Sequence, residues 1–254
     1  MPALFLAHGS PMHAIEDSPF RRSWETLGRE LPRPGAVLCV SAHWETRGVY
    51  VTSAPHPPTI HDFYGFPRAL YEIDYPAPGC PELAAKVASL VRGASVHEDA
   101  GRGLDHGAWS VLRSMYPEAD VPVVQLSLDM THAPPFHYAL ARELSPLREE
   151  GILVVGSGNI VHNLALWHRG SRRPYDWAER FDDAIAERVR AGLHDDIVHF
   201  HRLAPDAHRA VPTPEHYLPL LYALALLETG EVARIFNRAV ESSLSMTSVA
   251  IGAD

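Results

Sequence analysis

Apolar residues recur along the chain in two rhythms. Short runs rich in β-branched residues at 3–7, 36–41, 49–53, 121–127 and 151–155 read as strands, and several are apolar at every position, as in a sheet covered on both faces. Between them, near 81–91, 107–115, 135–149, 176–191 and 214–228, apolar residues fall three and four apart, the helical spacing. Another helix is expected from Ser18, a hydroxyl cap with Pro19 at the first helical position, to Leu31, where Pro32 and Pro34 stop it. The last helix is read as opening Thr213-Pro214-Glu215-His216, with a hydroxyl cap, Pro at its first position and an acidic residue in its first turn. Segments 231–236 and 245–251 read as closing strands. Alternation of strands and helices predicts an α/β fold, a single domain spanning 1–254, with a central, mostly parallel mixed sheet flanked by helices on both faces.

Composition narrows the class. With 46% hydrophobic and 21% charged residues the chain can bury a sizeable core, which excludes intrinsic disorder. No apolar run reaches the ~18 residues of a membrane span. The start, Met1 to Ala7, has neither the basic residues nor the length of a signal peptide, so a cytoplasmic location without a membrane partner is expected. A net charge of −9 disfavours nucleic acid as a partner. Cys39 and Cys80 form no CxxC and give no disulfide or thiolate framework. The excess is in histidine, with sixteen residues. Histidine serves equally on surfaces, in cores, as a base and as a metal ligand, so position has to decide.

In open α/β sheets ligands bind beyond the carboxyl ends of the strands. His8 ends the first strand in Leu4-Phe5-Leu6-Ala7-His8-Gly9-Ser10-Pro11, and His43 is read as ending the second in Val40-Ser41-Ala42-His43-Trp44. His162 follows a third through Gly156-Ser157-Gly158-Asn159, and His216 lies in the first turn expected for the last helix. Four imidazoles from distant segments suit a mononuclear site of three ligands and one free base, and neutral imidazole suits iron, zinc, copper or nickel. Rival chemistries find no support: Gly156-Ser157-Gly158 extends neither to a nucleophile elbow nor to a phosphate loop. His106, in Gly103-Leu104-Asp105-His106-Gly107, stands at a helix start with a capping role as the alternative. His61 and Tyr64, in the aromatic segment His61-Asp62-Phe63-Tyr64-Gly65-Phe66-Pro67, and Trp44 suit stacking on a planar substrate, with core packing as the alternative. His13, His56, His97, His168, His194, His199, His201 and His208 read as solvated, and His132 and His137 as packing residues.

Taken together, His8-Gly9-Ser10-Pro11-Met12, Ser41-Ala42-His43-Trp44, His61 to Pro67, Gly103 to Gly107, Gly156 to Asn163 and Pro214-Glu215-His216-Tyr217-Leu218-Pro219-Leu220 resemble the class III extradiol ring-cleavage dioxygenases, in the DOPA 4,5-dioxygenase branch. The resemblance covers nearly the whole length. It implies metal ligation by His8, His43 and His216, with His162 as acid/base or, in zinc-loaded forms, a fourth ligand, and a substrate contact for His106. Better-known class III enzymes use two histidines and a carboxylate, so Glu215 stands as the alternative third ligand. The activity implied is cleavage of a DOPA- or caffeate-like catechol with O2, using Fe(II) for activity, with Zn(II) able to occupy the site. Two other classes use the same residues: a zinc-dependent hydrolase, and a non-catalytic binding or adaptor protein. Arg68, Arg102 and Arg173 are equal candidates for holding a substrate carboxylate, and oligomeric state is not legible.

Overall fold

The computed structural model describes residues 1–168, 172–203 and 205–253. Strands form at β1 (Ala3–Ala7), β2 (Ala36–Thr46), β3 (Val49–Thr52), β4 (Val96–Asp99), β5 (Val123–Asp129), β6 (Ile152–Gly158), β7 (Ala233–Phe236), β8 (Val240–Glu241), β9 (Leu244–Ser245) and β10 (Ser248–Ile251). Helices form at α1 (Pro19–Glu30), α2 (Arg68–Tyr71), α3 (Pro81–Leu90), α4 (His106–Met115), α5 (Pro134–Glu143), α6 (Pro146–Glu149), α7 (Asp176–Ala191), α8 (His194–Val198), α9 (Ala207–Ala210) and α10 (Leu218–Leu224).

The main sheet runs β4-β3-β5-β2-β6-β1-β10-β7. Its centre, β5-β2-β6-β1, is parallel, and antiparallel pairings join β10 and β7 at one side and β3 at the other. The period of two sends alternate residues of each central strand to opposite faces. Phe5, Leu38, Val40, Val124 and Val154 enter one core with Leu83 of α3, Leu140 of α5, Phe181 of α7 and Leu221 of α10. Leu4, Leu6, Val37, Cys39 and Val155 enter the other with Trp24 of α1 and Trp109 and Leu112 of α4. The expected α/β fold with helices on both faces is therefore observed. Helix α1 begins as its cap implies: Ser18 Oγ accepts from Arg21 N at 3.1 Å, and Leu31 turns extended ahead of Pro32. No helix among the described residues is long and apolar enough to cross a membrane.

Three expectations need correction, and one strand of the main sheet was not expected. The helix expected over 135–149 divides into α5 and α6, because Pro146 has no amide to bond the carbonyl of Arg142, which is left to Ser145 at 3.3 Å. The helix expected over 214–228 is only α10, because Pro219 removes the amide that would bond back to residue 215. Thr213 is therefore no helix cap; its hydroxyl donates to Glu215 Oε1 at 3.0 Å, and His216 stands in a turn just before the helix. Strand β2 does not end at His43 but runs to Thr46, with a shift of register against β5 between Val40 and Glu45. Finally, β4 pairs at the sheet edge with polar residues along it, so it carries no apolar run to reveal it.

Candidate metal centre and substrate cavity

Because β1, β2 and β6 are parallel neighbours, their carboxyl ends open on one side and bring distant histidines together. His8 leaves β1 with its amide still bonded to Gly158 O at 3.2 Å. His43 lies where β2 has left β6, whose pairing with it ends at Ser41, but has not yet regained register with β5. His162 follows β6, its amide donating to Ala210 O at 2.9 Å. The His216 turn packs against β6 so closely that its carbonyl accepts Asn159 N at 2.8 Å, and a Cβ at Gly158 would stand 2.1 Å from the same oxygen. The glycines around Ser157, unexplained by any nucleotide motif, thus permit this approach.

Hydrogen bonding fixes which nitrogens carry protons. Ser157 Oγ donates to Gly107 O at 2.6 Å, so toward His8 it accepts, and His8 Nδ1 donates to it at 3.0 Å. His43 Nδ1 faces Asp62 Oδ2 at 3.4 Å, and His216 Nδ1 donates to Glu215 Oε1 at 3.0 Å. His8 and His216 are then protonated on Nδ1, leaving Nε2 as a bare lone pair, and the Asp62 carboxylate favours the same form of His43 across an ion-pair distance. The Nε2 atoms of His8 and His43 are 3.1 Å apart, and Nε2 of His216 is buried without a partner. The ring centres of the three lie 4.9 to 5.3 Å apart, and their ligand atoms fall within 4.8 Å of one another. Two imidazole nitrogens at 3.1 Å are held together either by a proton between them or by a cation that both bind. That spacing suits two nitrogens each about 2.1 Å from one ion, so this donor set fits a divalent metal. Glu215 accepts from Thr213 as well as His216, which leaves His216 with the free donor.

Electrostatics agree with neutral imidazoles. Burial, followed by the neighbouring histidines, pushes His8 and His216 well below the ordinary histidine value. Burial and then His106 take His43 down to about 3, and burial with His43 and His106 takes His162 to about 3. Burial alone would raise Asp62, but contacts with His106 and then His43 outweigh it and hold its carboxyl at about 2.

The histidines line a cavity of about 680 Å³ together with Asp62, Phe63, Tyr64, Phe66, Leu164, Trp167 and Leu244. His106, the first residue of α4, lies in it with its ring centre 3.9 Å from that of His43, and Asp105 caps the helix by accepting Ala108 N at 3.2 Å. Tyr64 lines the mouth and is 91% exposed. Two residues expected to contact substrate do not line the cavity. His61 sits 3.0 Å from Ile73 O through Nε2 and packs against Phe63, Tyr71 and Trp109. Trp44 is buried, with the Arg102 guanidinium 5.4 Å over its ring, because strand alternation turns it opposite to His43. Of the expected surface histidines, His13 is instead packed on Phe20 and Trp24, and burial first, then Arg172, lowers it to about 4. His194 is half-buried, its Nδ1 2.8 Å from Tyr138 Oη.

The arginines also separate. Arg68 pairs with Glu72 in solvent, Arg102 is tied to Asp105 and to His43 O, and Arg173 lines a different groove. Arg172, not anticipated, lines a second hollow of about 570 Å³ that shares Gly9, Ser10, Met12, Trp167 and Leu244 with the histidine cavity. It stands 3.5 Å from Glu241, with His13 and Glu16 in the same hollow. Asp62 was also missed as a site residue, although its segment stood out as aromatic.

Residues 2–250 match the family model described as the catalytic LigB subunit of aromatic ring-opening dioxygenase. A protein named 4,5-DOPA dioxygenase extradiol from Escherichia coli K12 is 49% identical, the alignment covering 99% of this chain and 95% of that one. A protein of the same name from Beta vulgaris is 39% identical over 94% of this chain and 92% of its own. A crystal structure of an uncharacterised Escherichia coli K12 protein superposes with a TM-score of 0.86 at 43% identity, covering 99% of this chain and all of the other.

Proposed function

The chain belongs to the LigB family of aromatic ring-opening dioxygenases, and from that premise we propose that it opens the ring of a DOPA- or caffeate-like catechol beside its hydroxyls, inserting both atoms of O2. His8, His43 and His216 hold the metal in this reading, with Glu215 orienting His216. The observation that carries it is the convergence of one ring nitrogen from each of His8, His43 and His216 to within 4.8 Å of one another, with Nδ1 of His8 and of His216 hydrogen-bonded on the far side of its ring. Such an orientation of ligating histidines by outer partners is what a metal site requires.

Ferrous iron at this site supplies Lewis acidity that lowers the catechol pKa, and the redox capacity that lets triplet O2 react with a singlet catechol. The protein does the rest. The aromatic wall of Phe63 and Phe66 receives the flat ring and keeps water from it. His162, neutral at pH 7, takes the second hydroxyl proton; an anionic catecholate beside it raises its basicity, so the same ring returns that proton as the C–C bond breaks. His106 accepts a hydrogen bond from the substrate. A charged side chain on the catechol extends into the adjoining hollow, toward Arg172. Zinc binds N/O sites more tightly than ferrous iron, so it occupies the same ligands without supplying the redox step. The whole chain acts as one catalytic domain.

The test is oxygen uptake after anaerobic reconstitution with Fe(II), using caffeate or DOPA. Uptake with a yellow semialdehyde product is expected. Turnover without oxygen uptake means a hydrolase instead, and no turnover of any catechol with iron verified in the site means a binding protein.

A further inference from the structure

Asp62 reaches two elements with one carboxylate. Its Oδ1 accepts the backbone N–H of His106 at 2.9 Å and lies 3.0 Å from Nδ1 of the same residue, while Oδ2 lies 3.4 Å from His43 Nδ1. The side chain is 21% exposed, at the edge of the cavity. The segment carrying it is fastened just before it: Ile60 N donates to Leu104 O at 2.7 Å, Trp109 Nε1 donates to Ile60 O at 2.8 Å, and His61 Nε2 is engaged with Ile73 O. Just after it, Phe63 is buried with its ring against that of His106. The carboxylate is therefore held on a fixed base, facing the same ring nitrogen of two adjacent histidines.

We infer that Asp62 is a positioning residue that sets the tautomers of His43 and His106 together, keeping the proton of each on Nδ1 and turning both Nε2 lone pairs to the cavity. An ionised carboxylate only accepts, so it favours a proton on the ring nitrogen that faces it, across 3.4 Å at His43 and across 3.0 Å at His106, whose Nδ1 has no other partner and makes no directed hydrogen bond. For His43 this leaves Nε2 free beside His8 Nε2. For His106, a proton held on Nδ1 leaves Nε2 of the uncharged ring able to accept from a substrate hydroxyl. One residue of the cavity wall thereby prepares both a metal ligand and a substrate contact. The consequence for metal affinity rests on the reading of His43 as a ligand, whereas the tautomers do not.

Two measurements test it separately. Long-range proton–nitrogen correlation spectra of metal-free wild-type protein labelled with ¹⁵N-histidine, at pH 7.5, are expected to show the Nδ1-protonated form for His43 and His106. An Nε2–H signal from either overturns the inference. In Asp62→Asn the amide NH2 donates toward His43 Nδ1 and favours the opposite tautomer. Zinc affinity by chelator competition then falls about 10- to 100-fold, with partial recovery in Asp62→Glu. Affinity within twofold of wild type in Asp62→Asn overturns the metal-binding half of the inference, and with it the reading of His43 as a ligand. If wild-type protein binds no zinc, the metal reading fails, and the spectra still decide the tautomers.

Discussion

The imidazoles of His162 and His216 lie face to face, ring centres 3.4 Å apart and planes 6° from parallel. His162, Glu215 and His216 bring ligand atoms within 4.8 Å of one another, but lone pairs of stacked rings run in parallel planes, so we read His162 as the base and not as a fourth ligand. His162→Ala is expected to retain bound metal and lose on the order of 10²-fold in kcat or more. Metal analysis of the purified variant beside its kinetics checks this, and an emptied site makes His162 a ligand.

Gly158→Ala sets a Cβ 2.1 Å from the carbonyl of His216, a backbone atom with no side-chain freedom to yield. The turn carrying His216 must move. A loss of about 1–3 kcal/mol in urea unfolding is expected from overpacking, together with weaker zinc binding. Unchanged affinity means that His216 is not held by this packing.

Seven histidines, the buried His8, His137 and His216 and the half-buried His13, His43, His162 and His194, have folded-state values below the ordinary one, burial being the first cause in each. As pH falls below about 6.5 the unfolded chain binds protons that the folded chain refuses, so stability is full above that pH and declines toward pH 4. Each such group contributes up to about 1.4 kcal/mol per pH unit. The urea midpoint of the metal-free protein, measured from pH 7.5 to 5, is expected to fall steadily below 6.5; a flat profile contradicts neutral buried rings.

Arg172 borders the hollow joined to the histidine cavity. Arg172→Ala is expected to raise KM severalfold for caffeate and DOPA, with little change in kcat, and to leave 4-methylcatechol unaffected. Equal effects on all three substrates exclude a role in holding the carboxylate.

Much of this was legible in the sequence. The central strands announce themselves because both faces are covered; β1 ends where its apolar run ends, just before His8, whereas β6 runs on past Val155 to Gly158 before the chain reaches His162. His43 was harder, since the register shift in β2 is a property of its pairing with β5 and leaves no trace in composition. Trp44 could have been set aside, because two successive residues of a strand face opposite ways. His61 could not: its bond to Ile73 depends on the path of the loop. Asp62 and Arg172 were invisible for the same reason, a carboxylate and a guanidinium in loops whose partners are distant in sequence.

The central claim is tested most directly by turnover of a catechol under ¹⁸O2 with iron-reconstituted protein, the product reduced at once with borohydride to trap the aldehyde oxygen and analysed by mass spectrometry. Both labels are expected in the ring-opened product, one in the new carboxylate and one in the trapped alcohol. A ring-opened product with neither label, or a catechol returned unopened while oxygen is consumed, contradicts the account.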